Sequence, residues 1–345
     1  MRKWFVLMLV ALMTISVVAG CGQQKAGSDS SSGGQQQEQQ KEKPIEITFA
    51  IHTPPGTIEN QALERFKKTV EEKTNGAITV KLFPGAVLGG EKDNIEQIKT
   101  GEIQMSIFGD ILTSQYAPQY DPTVVPFIFP DMESVYKYWN GPFGERIKQE
   151  LEQKGNILLI GLERRGAREL TINKEVKTPA DLKGVKIRVP EIPTWVTVWK
   201  SLGTLPTPIA WNEVYSSLQL KVVDAQENPY ENIYTAKLYE VQKYTIKTDH
   251  LYNLFHIVIN KDFFNSLKPE YQKIIQDAIN DATKWGDEQM KTRDAELEQK
   301  LKDAGMKIVE VDKEAFRKAA IPGIKEVAKG WAPGVWDEVK GYIGE

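Results

Sequence analysis

The chain has 345 residues, long enough for two domains, with 44 lysines and arginines against 47 aspartates and glutamates, a formal net charge of −3. That balance, with no basic run, argues against nucleic-acid binding. One cysteine, three histidines (His52, His250, His256) without metal-ligand spacing and no G-x-S-x-G elbow argue against an enzyme, and neither cofactor nor metal is expected.

The first segment has Arg2 and Lys3, an apolar run from Trp4 to Val18, and the ending Val18-Ala19-Gly20-Cys21. It reads as a lipoprotein signal peptide over residues 1–20, with Cys21 lipidated; the apolar run falls short of the roughly 20 residues a membrane span needs. Residues 21–43, rich in Gln, Ser and Gly, cannot bury a core and read as a flexible tether.

From Pro44 the pattern is α/β. Ile45, Ile47 and Phe49 alternate with Glu46 and Thr48 in a strand that ends at His52-Thr53-Pro54-Pro55. A helix with Leu63, Phe66 and Val70 stops at Gly76, and Ile78–Leu82 is a second strand turned by Phe83-Pro84-Gly85. A helix over Asp93–Lys99 and a buried strand over Gln104–Phe108 complete a parallel unit. Pro126–Pro130 is a rigid apolar connector, followed by an amphipathic helix through Tyr138 and a buried strand at Ile157–Leu162.

The stretch from Gly161 to Tyr234 holds the unusual polar residues. Alternation places Arg168 on one face with Leu170 and Ile172, where a guanidinium is costly unless an anion meets it. Thr178-Pro179-Ala180-Asp181 is a short capping box with Gly184 as its stop. Val185, Ile187 and Val189 then alternate with Lys186 and Arg188 up to Pro190. Each strand therefore carries one arginine. Structural roles stand beside the functional ones: Arg188 as a solvated edge residue, Arg168 paired with a structural acid, Asn228 as a turn starter before Pro229.

Trp195, Val198 and Trp199 recur at helical spacing, and Asn212 is the expected N-cap of a helix over Glu213–Gln219. Trp211 lies just before that cap, uncommitted to the helix face, and is either a wall of a site or a core residue. Phe255–Ile259 reads as a strand returning to the first domain. From Pro269 to Gly305 the pattern is helical for about 36 residues, about 54 Å if unbroken; a break near Gly286-Asp287 is the alternative. Ile308–Val311 and two helices around Trp331 and Trp336 should close the second domain.

The ordered set R-x-L-T (from Arg168), TP-x-DLKG-x-KIRVP (from Thr178), LG-x-x-PTP (from Leu202), EVY-x-x-LQ (from Glu213) and VVD-x-QENP (from Val222) resembles the DctP-type solute receptors of tripartite ATP-independent periplasmic (TRAP) transporters, from about Ile45 to the C-terminus. The resemblance implies a two-lobed, periplasmic-binding-protein-like α/β clamshell with a long lobe-bridging helix. Lobe I would comprise 44–165 plus about 254–293, lobe II 166–253 plus about 294–345, with the ligand in the cleft between them. It further implies that Arg188 grips a substrate carboxylate bidentately, that Arg168 supports it directly or through water, and that Asn228 completes the grip. Trp211 would pack on the solute, and first-lobe contacts would fall near His52, Glu91, Gly109 and Asp110. Glu213 and Glu227 would meet sugar hydroxyls or pair with the arginines. Gly109 and Leu112 depart from the sialic-acid branch, so sialic acid is not expected.

The resulting expectation is an extracytoplasmic receptor, monomeric and lipid-anchored through Cys21, that hands an organic acid to TRAP permease subunits. A uronate-like sugar acid is the preferred ligand and a C4-dicarboxylate the second. A ligand-sensing lipoprotein, or the receptor of an ATP-driven importer for another small solute, is the alternative reading.

Overall fold

A computed structural model describes residues 44–345, so the expected signal peptide, the lipidated Cys21 and the tether lie outside the described residues. In chain order the first strands are β1 (Ile45–Ile51), β2 (Ile78–Phe83), β3 (Met105–Phe108), β4 (Ile157–Arg164), β5 (Arg168–Ile172) and β6 (Lys186–Val189). They are followed by β7 (Leu205–Pro208), β8 (Ala225–Pro229), β9 (Tyr244–Leu251), β10 (Leu254–Asn260) and β11 (Lys307–Glu310). The first five-stranded sheet runs β2-β1-β3-β10-β4 and the second, six-stranded, β11-β9-β5-β8-β6-β7.

Period-two alternation in β1 sends Ile47, Phe49 and Ile51 to one face and Ala50 to the other. Both faces are buried. The first packs against Leu63 and Phe66 of the helix Ile58–Lys73 and against Ile275 and Ile279 of a later helix. The second packs against Ile95, Ile98 and Leu151 from helices Glu91–Thr100 and Pro142–Gly155. β1 pairs in parallel with β2 and β3, as the strand–helix–strand spacing predicted, whereas β10 enters antiparallel between β3 and β4. In the second sheet Leu170, Ile187 and Ala225 share a core with Trp195, Trp199 and Phe316.

Three connections join the sheets into the two-lobed clamshell. β4 continues into β5 through Arg165-Gly166-Ala167, and β9 into β10 through Tyr252-Asn253. Leu254 pairs with Arg164 in one sheet and Leu251 with Arg168 in the other, and the Arg165 N–H donates to Asn253 O at 3.1 Å. The two crossings thus run side by side as one hydrogen-bonded ribbon. The third connection is the helix Pro269–Asp303, 35 residues and unbroken, about 52 Å long.

That helix buries Ile275, Ala278 and Ile279 against the first sheet, and Leu297 and Leu301 against Tyr230 and Ile233 beside the second. Gly286 lies where the helix passes the end of β4: a Cβ there would come within 2.4 Å of Glu163 Oε1. The glycine that suggested a break is a close-approach residue, and tertiary packing on both sides outweighs its poor helix propensity. The connector Pro126–Pro130 enters the second lobe's core, with Phe127 edge-on to Trp199 at 5.9 Å and its N–H donating to His250 O. The C-terminal helix Lys313–Ala328 packs on Pro193–Ser201, and Tyr342 then meets Phe129 at 5.3 Å.

Two local expectations fail. No helix surrounds Trp331, which lies in the bend between the helices Lys313–Ala328 and Val335–Val339. Asn212 does not cap a helix; it sits inside the single turn Trp211–Glu213, and Glu213 is the N-cap of the helix Val214–Gln219, without a side-chain bond. The turn opens two residues earlier, at Ala210, whose carbonyl accepts the Glu213 N–H at 3.1 Å, so Asn212 is already inside it. No described helix is long and apolar enough to cross a membrane.

Candidate functional site

The C-terminal ends of β1, β3, β6 and β8 and the crossing before β5 converge on one cleft, the place where open α/β sheets leave backbone ends free to receive a ligand. An inner space of about 40 Å³ is lined by Arg165, Arg168, Arg188, Asn228, Asn232 and Asp110. It opens past His52, Glu91 and Trp211 into an outer space of about 250 Å³ that also meets Glu191, Asn212 and Glu213. A separate depression of about 360 Å³ lies at the far end of the second sheet; its polar lining, including Lys183, Lys221 and Asp224, is solvent-exposed, and it shares no residue with the arginine cluster.

Arg188 is the deciding residue. β6 is an internal strand between β8 and β7, so the solvated-edge role is closed to it, and the side chain is only 3% exposed. Its Nε donates to Ile209 O at 2.8 Å. Among the described residues the Nη1/Nη2 edge has no hydrogen-bond partner, and no carboxylate forms an ion pair with it. Burial pushes the guanidinium down to about 10, with Glu227 opposing and Arg168 assisting that shift. A buried cation without its own anion is costly, and the open edge is the two-pronged one that fits a carboxylate.

Arg168 is paired with a structural acid, Glu227, and keeps one nitrogen free. Its Nε donates to Glu227 Oε2 at 2.5 Å and its Nη2 to Glu227 Oε1 and O at 2.9 Å, leaving Nη1 toward the inner space. The guanidinium lies 5.0 Å from the centroid of the Trp195 ring. Burial lowers its pKa, but the Glu227 carboxylate outweighs burial and holds it above the ordinary value.

Glu227, expected at ligand hydroxyls or at the arginines, takes the second role. It is fully buried, it does not line the cleft, and Oε2 also meets His250 Nε2 at 3.0 Å. Burial raises its carboxyl, and Arg168 together with His250 brings it below the ordinary range. His250 is pushed down by burial and is neutral; its Nε2–H donates to Glu227 while Nδ1 accepts from the Thr248 hydroxyl at 2.8 Å.

The remaining candidates divide by position. Asn228 lines the inner space, its Nδ2 donating to Gln226 Oε1 at 2.7 Å, and Gln226 in turn donates to Thr171. Trp211 is half-buried on the cleft wall, whereas Trp195 and Trp199 form the core. Glu213 is an exposed rim residue. His52 directly follows β1 and donates from Nδ1 to Ile107 O at 3.1 Å, which leaves Nε2 as an acceptor. Glu91 Oε1 accepts the Gly109 N–H at 2.8 Å, and Oε2 stays free at the cleft. Asp110, raised by burial against the pull of Arg168 and Arg165, accepts from Asn253 Nδ2 at 2.7 Å.

Arg165, Asn232 and a rim ion pair were not read from the sequence. Arg165 follows Arg164 in an RRG triplet; the crossing sets Arg164 beside the bridging helix, with its backbone N–H donating to Asp287 Oδ1 at 2.7 Å, and turns Arg165 into the cleft. The doublet beside the R-x-L-T motif was the only available signal. At the mouth Lys92 Nζ meets Glu191 Oε1 at 2.7 Å, joining a first-lobe helix to the loop after β6.

Against this geometry stands a family model described as bacterial extracellular solute-binding protein, family 7 (DctP), matching residues 49–330. The chain belongs to this family. DctP-family proteins are the extracytoplasmic solute receptors of TRAP transporters, and they bind rather than convert their ligands. Among relatives, a solute-binding protein of Roseobacter denitrificans is 36% identical over 259 residues, 75% of this chain and 79% of the relative. The 2,3-diketo-L-gulonate-binding periplasmic protein of Escherichia coli is 34% identical over 279 residues, 79% of this chain and 84% of the relative. A TRAP solute-binding protein from Roseobacter denitrificans solved with bound L-galactonate matches with a TM-score of 0.81 at 31% identity, covering 86% of this chain and 98% of that one. Another, from a Sulfitobacter species with bound β-D-galacturonate, matches with a TM-score of 0.80 at 30% identity, covering 87% and 100%.

Proposed function

We propose that this DctP-family receptor captures a sugar acid, an aldonate or uronate, for a TRAP permease. The observation that carries the reading is the open Nη1/Nη2 edge of Arg188, a buried guanidinium whose missing anion is supplied by the ligand carboxylate. The carboxylate enters the inner space, where Arg168 Nη1 and Asn228 complete its coordination. Its polyhydroxyl chain extends into the outer space, where His52 Nε2 and Glu91 Oε2 accept hydroxyl protons, Trp211 packs on the carbon skeleton and Glu213 meets the distal end. The bound galactonate, galacturonate and D-glucuronate of structural neighbours favour this chemistry over a C4-dicarboxylate.

Binding drives closure through contacts made better with the lobes together, and here the carboxylate ligands sit on the second lobe and the hydroxyl acceptors on the first. The lobes divide at the crossings, residues 44–165 with about 254–293 and residues 166–253 with about 294–345. The receptor is tethered to the outer face of the membrane through lipid on Cys21.

A thermal-shift screen of aldonates, uronates, succinate and malate tests the reading. A ligand at 100 times its dissociation constant adds about 2.7 kcal/mol. Arg188→Ala should abolish the shift, because removing one partner of a buried ion pair costs about 3–5 kcal/mol. Stabilisation by a neutral sugar or a peptide alone would overturn the reading.

A further inference from the structure

Arg165 is a third buried arginine at the cleft, one that the carboxylate grip does not use. It is 6% exposed and lines the inner space beside Arg168. Its face lies 4.2 Å from the centroid of Phe255, and Nη2 donates to Asn232 Oδ1 at 3.0 Å. Nε is buried without a partner, and no carboxylate among the described residues forms an ion pair with it. Nη1 reaches the cleft past Gly109, where a Cβ would approach it to 3.3 Å. Any side chain at 109 would crowd that nitrogen.

The acceptors of the ligand can be counted. A carboxylate offers about four lone-pair directions. Arg188 takes two through its open edge, Arg168 one through Nη1 and Asn228 one. Nothing remains for Arg165 Nη1, so its acceptor must be a different atom close to the carboxylate. The inner space is the narrow end of the cleft and sets Arg165 beside Arg168 and Arg188, so the nearest further acceptor on the ligand is the substituent next to its carboxylate. The atom that fits is an oxygen on the carbon bearing the carboxylate.

We infer that Arg165 binds the α-oxygen of the ligand, so that the receptor selects 2-hydroxy or 2-oxo acids over their 2-deoxy counterparts. This rests on the sugar-acid reading above and adds to it a named reader of one substituent. Asn232 holds the guanidinium in place, and Phe255 replaces water on its face.

The test pairs ligands with variants of the purified protein. Dissociation constants are measured by calorimetry for L-galactonate, D-galactonate and D-gluconate and for the matching 2-deoxy acids, with the wild type, Arg165→Met and Arg165→Lys. The wild type should bind the 2-hydroxy acid about 10- to 100-fold more tightly than its 2-deoxy partner, as expected for a hydrogen bond to a charged donor. Arg165→Met should weaken the 2-hydroxy acid by a similar factor and leave the 2-deoxy acid almost unchanged, and Arg165→Lys should fall between. Met keeps the stacking volume on Phe255, so the variant folds, and its thermal midpoint without ligand checks this. Equal losses for both acids, or a wild type indifferent to the 2-hydroxyl, would overturn the inference while leaving the carboxylate receptor standing. Binding of none of these acids by the wild type would overturn the sugar-acid reading and this inference with it.

Discussion

The two walls of the cleft are built from opposite chemistry. The second lobe and the crossing into it contribute three buried guanidiniums, Arg165, Arg168 and Arg188, each locked by a carbonyl, an amide or a carboxylate. The first lobe contributes acceptors: His52 Nε2 and Glu91 Oε2, each oriented by a backbone bond from its own lobe, and Asp110, held by the Asn253 amide at the crossing. A ligand with an acid head and a hydroxylated tail satisfies both walls only when they face each other. On the proposed reading the difference teaches how recognition and closure become one event: the second lobe would set the charge of the ligand and the first its hydroxyls, with neither alone making a complete site.

The largest break in this comparison comes from Glu227→Gln. It leaves Arg168 with an amide oxygen in place of its carboxylate, and removing a buried ionic partner should cost about 3–5 kcal/mol of stability at pH 7. The sign with pH is set by the depressed carboxyl of Glu227. A depressed acid contributes stability above its unfolded value and loses it as pH falls through the folded one. The denaturation curves of wild type and variant should therefore separate at pH 7 and converge as the pH falls below the ordinary glutamate range. Parallel curves down to acid pH would contradict the ion pair.

A sharper, smaller break lies on the other wall. Glu91→Gln keeps one acceptor for the Gly109 N–H but removes the charge that strengthens a ligand hydroxyl bond. The expected loss is about 1.5 kcal/mol in affinity, roughly tenfold, with the carboxylate grip intact; titration of the same sugar acid against both proteins measures it. The smallest effect belongs to Lys92→Ala at the mouth. Lys92 is about half exposed and its pair with Glu191 is screened by water, so the variant should lose under about 1 kcal/mol of affinity. That loss should vanish at 1 M salt, where the screening length is about 3 Å.

The sequence alone was enough for the alternation that makes β1, β5 and β6, for the capping box at Thr178–Asp181, and for the ordered motifs that mark the family and place Arg168, Arg188 and Asn228. These signals are local: two-residue periodicity and turn chemistry act within a few positions, and they survive into the structure unchanged. Four features had to wait for the tertiary structure. Glu227 meets Arg168 across 59 residues of chain, and no spacing rule says whether such an acid serves the ligand or the arginine. Arg165 and Arg164 are identical neighbours that only the strand crossing turns to opposite sides. The long helix stays whole through Gly286 because Glu163 needs that space and the two lobes grip the helix on either side of it. Asn212 loses its cap because the turn before it already directs the backbone. In the first three cases the deciding energy is a contact between segments distant in sequence, where burial raises the value of a partner and local propensity is worth less than about 1 kcal/mol.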